Sequence, residues 1–366
     1  MGLSPHHPHT CPGPKGAVSG GASVGTFSKE GIIVKKLLQT LTETFGPSGY
    51  EDNVRAIVRN EVEPLADEIR VDALGNLIAR KCPGKTTKDT KKIMIAAHMD
   101  EIGVIASHVD EKGFVRFSPI GSVFSRYVLG GRVRFLNGTP GVIGFDRLDN
   151  FNELPTLDKV YIDVGATHPK DCPVRIGDVA AFDRSFSEFG NRLVAKSLDN
   201  RVGVLIAIEV LRALKSTQHD VYFAFTTQEE VGIRGATTSA YGIDPDIGIA
   251  LDVTPSGDTP SSLKMEMALG KGPCIKIQDV GMIADPRVVQ WMIRAADKNK
   301  IPYQREVLLI GSTDARAIQV ARAGVPAGCI SIPVRYVHSP SEMVDFSDVQ
   351  NAIRLLTAVL RTPIDL

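Results

Sequence analysis

Four apolar runs in this 366-residue chain end in side chains that can bind a divalent cation or move a proton. The run 92–97 leads into His98, Asp100 and Glu101, and the run 221–228 into Glu229 and Glu230. The run 247–251 ends in Asp252, and 329–334 leads on to His338. Asp199, just before an apolar helical pattern, is a fifth candidate. Open α/β sheets bind ligands beyond the carboxyl ends of their strands, so these scattered residues can meet at one place. His98, Asp199, Glu230, Asp252 and His338 form a nitrogen and oxygen donor set without cysteine, which suits zinc, cobalt or manganese. Two cations there would make a hydrolytic centre.

Each residue alone has an ordinary explanation. His98 and Asp100 are two positions apart, so on a continuing strand they face the same side. Asp100 can then hydrogen-bond the imidazole while His98 ligates metal; a buried His–Asp pair would look the same. Asp199 reads equally well as a helix cap, and Asp252 or His338 alone means little. Glu229 and Glu230 are harder to explain this way, because adjacent carboxylates repel unless positive charge lies near. They point in different directions. Glu230 can therefore ligate while Glu229 acts as the general base that takes a proton from water; the ordinary alternative is a solvated loop pair. Jointly, the ordinary explanations need five coincidences at one sheet edge.

Bringing these residues together requires strands whose ends coincide. Helical spacing over 29–63, broken at Gly46-Pro47-Ser48-Gly49, predicts two helices, the second capped by Ser48. Strands follow at 68–72 and 76–81, and 93–97 is apolar on both faces, as a buried parallel strand is. From 104 to 192 the texture changes to short β-rich runs separated by Gly, Pro and Asp, the signature of a small barrel or sandwich. Helix–strand alternation then resumes and ends in a helix over 347–360 with Ser347 as its N-cap. The expected fold is α/β: a mixed, mostly parallel sheet sandwiched by helices, with an inserted small β-barrel domain. The expected division is a flexible tail over 1–28, a catalytic domain over 29–103 and 193–366, and a β-rich insertion over 104–192.

Composition narrows the partners. Hydrophobic residues make up 43% of the chain, enough for a sizeable core, and the formal net charge is +0. A general nucleic-acid or anionic-membrane partner would need a basic surface, so neither is expected. Cys11, Cys82, Cys172, Cys274 and Cys329 are far apart and form no CxxC, which reads as reduced thiols in a cytoplasmic protein. No apolar run approaches the roughly 18 residues of a membrane span. The Gly-, Ser- and Pro-rich start lacks a secretory apolar region, and its His6, His7 and His9 imply adventitious metal affinity.

Taken in order, the segments Ala97-His98-Met99-Asp100-Glu101-Ile102-Gly103, Ser197-Leu198-Asp199-Asn200-Arg201, Thr227-Gln228-Glu229-Glu230-Val231-Gly232 and Leu251-Asp252-Val253-Thr254 resemble the tetrahedral aminopeptidases. These are dinuclear metallo-aminopeptidases that include glutamyl and deblocking enzymes. Gly311-Ser312-Thr313-Asp314-Ala315 and Tyr336-Val337-His338-Ser339-Pro340 continue the match, which spans about 30–362. The resemblance implies removal of N-terminal residues from peptides with a free amine, by two divalent ions per subunit, zinc first. It implies that Asp199 bridges the ions. His98 and Asp252 would complete one site, Glu230 and His338 the other, with Glu229 the base and Asp100 the orienting acid. It also implies a cis Asp199–Asn200 peptide and a β-rich insertion that makes dimers, which often build a hollow dodecamer. Two departures stand out: Ser312 replaces the second glycine of a familiar Gly-Gly-Thr-Asp, and Arg316 stands where a small residue is common. Other readings of the residues are a metal-dependent amidase or deacylase acting on N-acylated amino acids, and a metal-bound scaffold protein. No independent carboxylate pair supports a glycosidase.

Overall fold

The computed structural model describes residues 29–150, 152–262 and 264–364; the tail expected over 1–28 lies outside the described residues. At its centre four strands lie side by side and parallel: Asp220–Thr226, Lys92–His98, Ile247–Pro255 and Ala327–Arg335. Alternate side chains of these strands serve opposite faces. Ile93, Ile95 and Ala97 join Phe223 and Phe225 in the larger core, while Met94 and Ala96 join Ala224 in a smaller one. Burial on both faces explains why these segments read as continuous apolar runs rather than alternating ones.

Helices Lys29–Glu43, Asp52–Val62, Leu198–Ala213, Pro286–Lys298 and Phe346–Arg361 contribute to the larger core. Helices Arg234–Ile243 and Asp314–Gln319 cover the smaller one. Antiparallel strands flank the parallel centre. Glu68–Val71 and Leu77–Lys81 lie on one side, and Glu342–Asp345, Arg192–Ala195 and Ser187–Phe189 on the other. Cys274–Gln278 and Gln304–Val307 extend from Ala327–Arg335 and bring the sheet to 11 strands. The α/β expectation of a mixed sheet between helices therefore holds.

Between two strands of this sheet the chain makes a closed six-stranded antiparallel barrel from Gly103–Val109, Val115–Ile120, Arg132–Phe135, Pro140–Phe145, Val160–Asp163 and Val179–Phe182. Val104, Val115, Val133, Phe135, Ile162 and Phe182 help fill its interior. Closure leaves the barrel without an unpaired strand edge. Among the described residues no helix is long and apolar enough to cross a membrane.

Two caps differ from expectation. Ser48 does not cap the second helix, which starts at Asp52; its hydroxyl donates instead to Asp100 Oδ2 at 2.6 Å. Asp345, not Ser347, caps the last helix, because its carboxylate reaches both the amide and the hydroxyl of Ser347, at 2.8 and 2.5 Å. Helix Arg234–Ile243 escapes sequence reading because its Gly-, Thr- and Ser-rich stretch carries little apolar period. Phe223 is fully buried on a central strand. Its replacement by Ala is expected to cost about 3–5 kcal/mol through the cavity left behind, read as a lower midpoint in urea unfolding.

Candidate metal centre

The parallel register brings the strand ends level: Thr226 pairs with His98, and Asp252 with Ser331. His98 is the last residue of its strand. Asp199 follows Ser197, which holds a left-handed φ of 53°, and the Asp199–Asn200 peptide is cis. Asp199 is no simple cap. It lies inside helix Leu198–Ala213 with non-helical angles, and Asn200 takes the capping role, its Oδ1 accepting from Gly203 N at 3.1 Å. Asn200 Nδ2 donates to Leu251 O at 2.7 Å and ties this helix to the strand that carries Asp252.

Asp199 stands between the two histidines. Its Oδ1 lies 3.1 Å from His98 Nε2 and its Oδ2 3.3 Å from His338 Nε2. Asp252 Oδ1 is 3.7 Å from His98 Nε2, and Glu230 Oε2 is 3.3 Å from His338 Nε2. The five expected ligands thus form two groups that share Asp199, one with His98 and Asp252 and one with Glu230 and His338. Within each group the candidate ligand atoms lie within 4.8 Å of one another. Glu230 Oε1 is buried and has no hydrogen-bond partner, which leaves a lone pair for a cation. Five imidazole and carboxylate donors without sulfur fit zinc, cobalt or manganese.

Electrostatics favour the same reading. Burial pushes the pKa values of Glu229, Glu230 and Asp252 up. Burial opposes the charge of Asp199 too, yet hydrogen bonds from His338 and His98 hold it well below the usual carboxylate range. Burial disfavours the imidazolium of His98, but Asp100, Asp199 and Asp252 outweigh it and raise that pKa well above normal. At His338 burial is likewise outweighed, chiefly by the Glu230 charge, and the pKa rises to about 12. Carboxylates packed this way must gain protons or a cation to be stable. A divalent ion supplies that charge without protonating the ligands.

The loop that carries both glutamates is held by side chains rather than by a ladder. Four successive amides donate to side-chain oxygens: Thr227 N to Asn76 Oδ1 (2.9 Å), Gln228 N to Glu51 Oε1 (3.1 Å), Glu229 N to Asp100 Oδ1 (3.0 Å) and Glu230 N to Asp100 Oδ2 (3.1 Å). Asp100 Oδ1 also lies 3.4 Å from His98 Nδ1, which leaves Nε2 facing Asp199 and Asp252. Asp100 therefore touches both the imidazole and the glutamate loop, a wider contact set than its spacing from His98 implies. Glu101, in the same motif, faces away and pairs with Lys196 Nζ at 2.6 Å.

Other residues at the site were given no role from the sequence. Asn76 and Glu51 gave no sign of a role here, since their partners in the glutamate loop lie far along the chain. Asp314 accepts from Thr226 Oγ1 at 2.6 Å, its Oδ1 is buried without a partner, and burial pushes its pKa up to about 7. Glu342 accepts from the amides of Asp199 and His338; its place four residues after His338 was its only sign. Beside the two groups opens a cavity of about 720 Å³, with Phe124, Tyr127 and Glu229 among its walls. Ser312 on its rim donates to Asp279 Oδ1 at 3.3 Å. A Cβ at Gly281 would come within 2.3 Å of Ser312 Oγ and 2.6 Å of Arg316 Cδ, so glycine there makes room for both departures from the family pattern.

Residues 75–355, more than half of the chain, match the M42 glutamyl aminopeptidase family. A protein of Acetivibrio thermocellus is 46% identical over 88% of this chain and 97% of its own length. The solved aminopeptidase of the archaeon Desulfurococcus kamchatkensis superposes with a TM-score of 0.85 at 42% identity, over 90% of this chain and 94% of that one. The TET1 peptidase of Pyrococcus horikoshii, which can assemble into a tetrahedron or a large octahedral shell, gives a TM-score of 0.81 at 31% identity, over 89% of this chain and 99% of that one. Matches of this length and identity, on a chain whose buried donors already call for cations, make this protein a member of the M42 aminopeptidases, metal-dependent hydrolases that remove residues from peptide N-termini.

Proposed function

We propose that this aminopeptidase works with two divalent ions per subunit, zinc first and cobalt or manganese as alternatives. The observation that carries the reading is the pair of donor groups sharing Asp199, with Glu229 on the cavity wall beside them. In this reading Asp199 bridges, His98 and Asp252 serve one ion, and Glu230 and His338 serve the other. Two ions so held supply Lewis acidity toward the scissile carbonyl, a charge that favours deprotonation of the attacking water, and an anchor for the α-amine.

The chain's own residues do the rest. Glu229 accepts the proton of the attacking water and returns it to the leaving amine. Burial raises its affinity for that proton. Asp100 holds the His98 ring by Nδ1 and holds the Glu229 amide, so the base and the ligand keep a common reference. Phe124 and Tyr127, from the segment between two barrel strands, line the cavity.

The barrel is proposed to mediate dimers that build a closed shell; the TET1 peptidase of Pyrococcus horikoshii can assemble into a tetrahedron or a large octahedral shell. Leu136, Val142, Phe145 and Ile176 are exposed on or next to its strands, with Ile176 at 70%, and apolar surface of this kind favours a partner. A cytoplasmic setting fits the four described cysteines, all of which are unpaired.

Hydrolysis of aminoacyl p-nitroanilides and free-amine peptides should vanish with EDTA, return with zinc or cobalt, and fail on N-acetylated twins. Cleavage of the acetylated peptides would favour a deacylase instead. Glu229→Gln should keep two metals and wild-type assembly while losing at least about a hundredfold in kcat; near-normal turnover would remove Glu229 from the role. Mass photometry should find a multiple of the 39.5 kDa subunit, and a monomer at working concentration would refute the shell.

A further inference from the structure

We propose that Glu342 is a positioning residue that sets the bridging carboxylate against the second metal group. The inference rests on the two-ion reading above and concerns a side chain outside the expected ligand set. Glu342 opens strand Glu342–Asp345, which pairs with Arg192–Ala195 and with Ala327–Arg335. The first of these leads to Asp199 and the second to His338. The strand therefore sits between the two segments whose ends must be brought into register.

Its carboxylate spans that gap. Oε2 accepts from the amide of Asp199 at 2.9 Å, and Oε1 accepts from the amide of His338 at 2.8 Å. Glu342 is only 2% exposed, so water is poorly placed to take over either bond. His338 has a φ of 62°, a left-handed conformation that non-glycine residues rarely hold without support. The bond to its amide supplies part of that support. One rigid planar group thus ties the backbone of the shared ligand to the backbone of a ligand that belongs only to the second group.

The geometry makes an asymmetric demand. His98 and Asp252 receive no bond from Glu342, whereas Asp199 and His338 both do. Loss of the carboxylate should loosen the Asp199–Glu230–His338 group more than the other. Groups that orient ligands from behind typically carry about 10–100-fold in metal affinity. A residue that merely supports the fold would lower stability and leave the affinity of the folded protein alone.

The test is calorimetric titration of the metal-stripped, full-length protein with Co²⁺, with circular dichroism and assembly state as controls. Wild type should take up two ions per subunit in two steps. Glu342→Ala should retain one step near its wild-type affinity and weaken the other at least about tenfold. Glu342→Gln keeps one carbonyl acceptor and should fall between the two; it decides the matter where the alanine variant does not fold. Folded variants that bind both ions with wild-type affinity would overturn the clamp and leave the two-ion reading intact. Equal weakening of both steps would overturn the assignment to the second group. Fewer than two ions on wild type would instead overturn the two-ion reading beneath it.

Discussion

Everything at the carboxyl edge of this sheet answers one constraint: Asp199, Glu229, Glu230 and Asp252 must be kept largely out of water within a small volume. Isolated buried carboxylates are very unfavourable, and like charges side by side make matters worse. Two histidines and a set of backbone amides offset part of that cost. The donor atoms point at one another rather than outward, the arrangement that the proposed divalent cations would need to complete the balance.

Coarse and fine positioning come from different sources. The parallel strands bring four segments to the same edge, to within a residue or so. Side-chain hydrogen bonds then take over where the ladders stop. Asp100 holds the glutamate loop, Asn200 ties its helix to the strand of Asp252, and Glu342 joins the two segments on the far side. Ser197, Gln228 and His338 all adopt positive φ, so the chain turns sharply where it leaves regular structure. Such strained residues gather where the surroundings over-determine the backbone.

The expected ligands were legible because each terminates or follows an apolar run, and strand ends are readable from composition alone. The change of texture at 104 likewise announced a β-rich unit; the six-stranded barrel runs from Gly103 to Phe182, while Ser187–Phe189 near the end of that stretch joins the main sheet. Less legible were groups whose meaning depends on a distant partner. Ser48 looked like a cap because its partner, Asp100, is 52 positions away. Asn76 and Glu51 gave no sign, since their partners at Thr227 and Gln228 lie 151 and 177 positions on. Glu342 resembled an ordinary polar residue after a histidine until the sheet put it between Asp199 and His338. Periodicity reports what a segment does locally, and these residues act at long range.

The four consecutive amides of Thr227–Glu230 have a consequence for protein engineering. Their acceptors are Asn76, Glu51 and Asp100, which come from separate parts of the chain. The shape of this segment is therefore only partly written in the segment. Copied onto another sheet, the same residues would keep the local bonds to their carbonyls but lose the acceptors of all four amides, and a functional transplant would have to carry the three distant acceptors along with it.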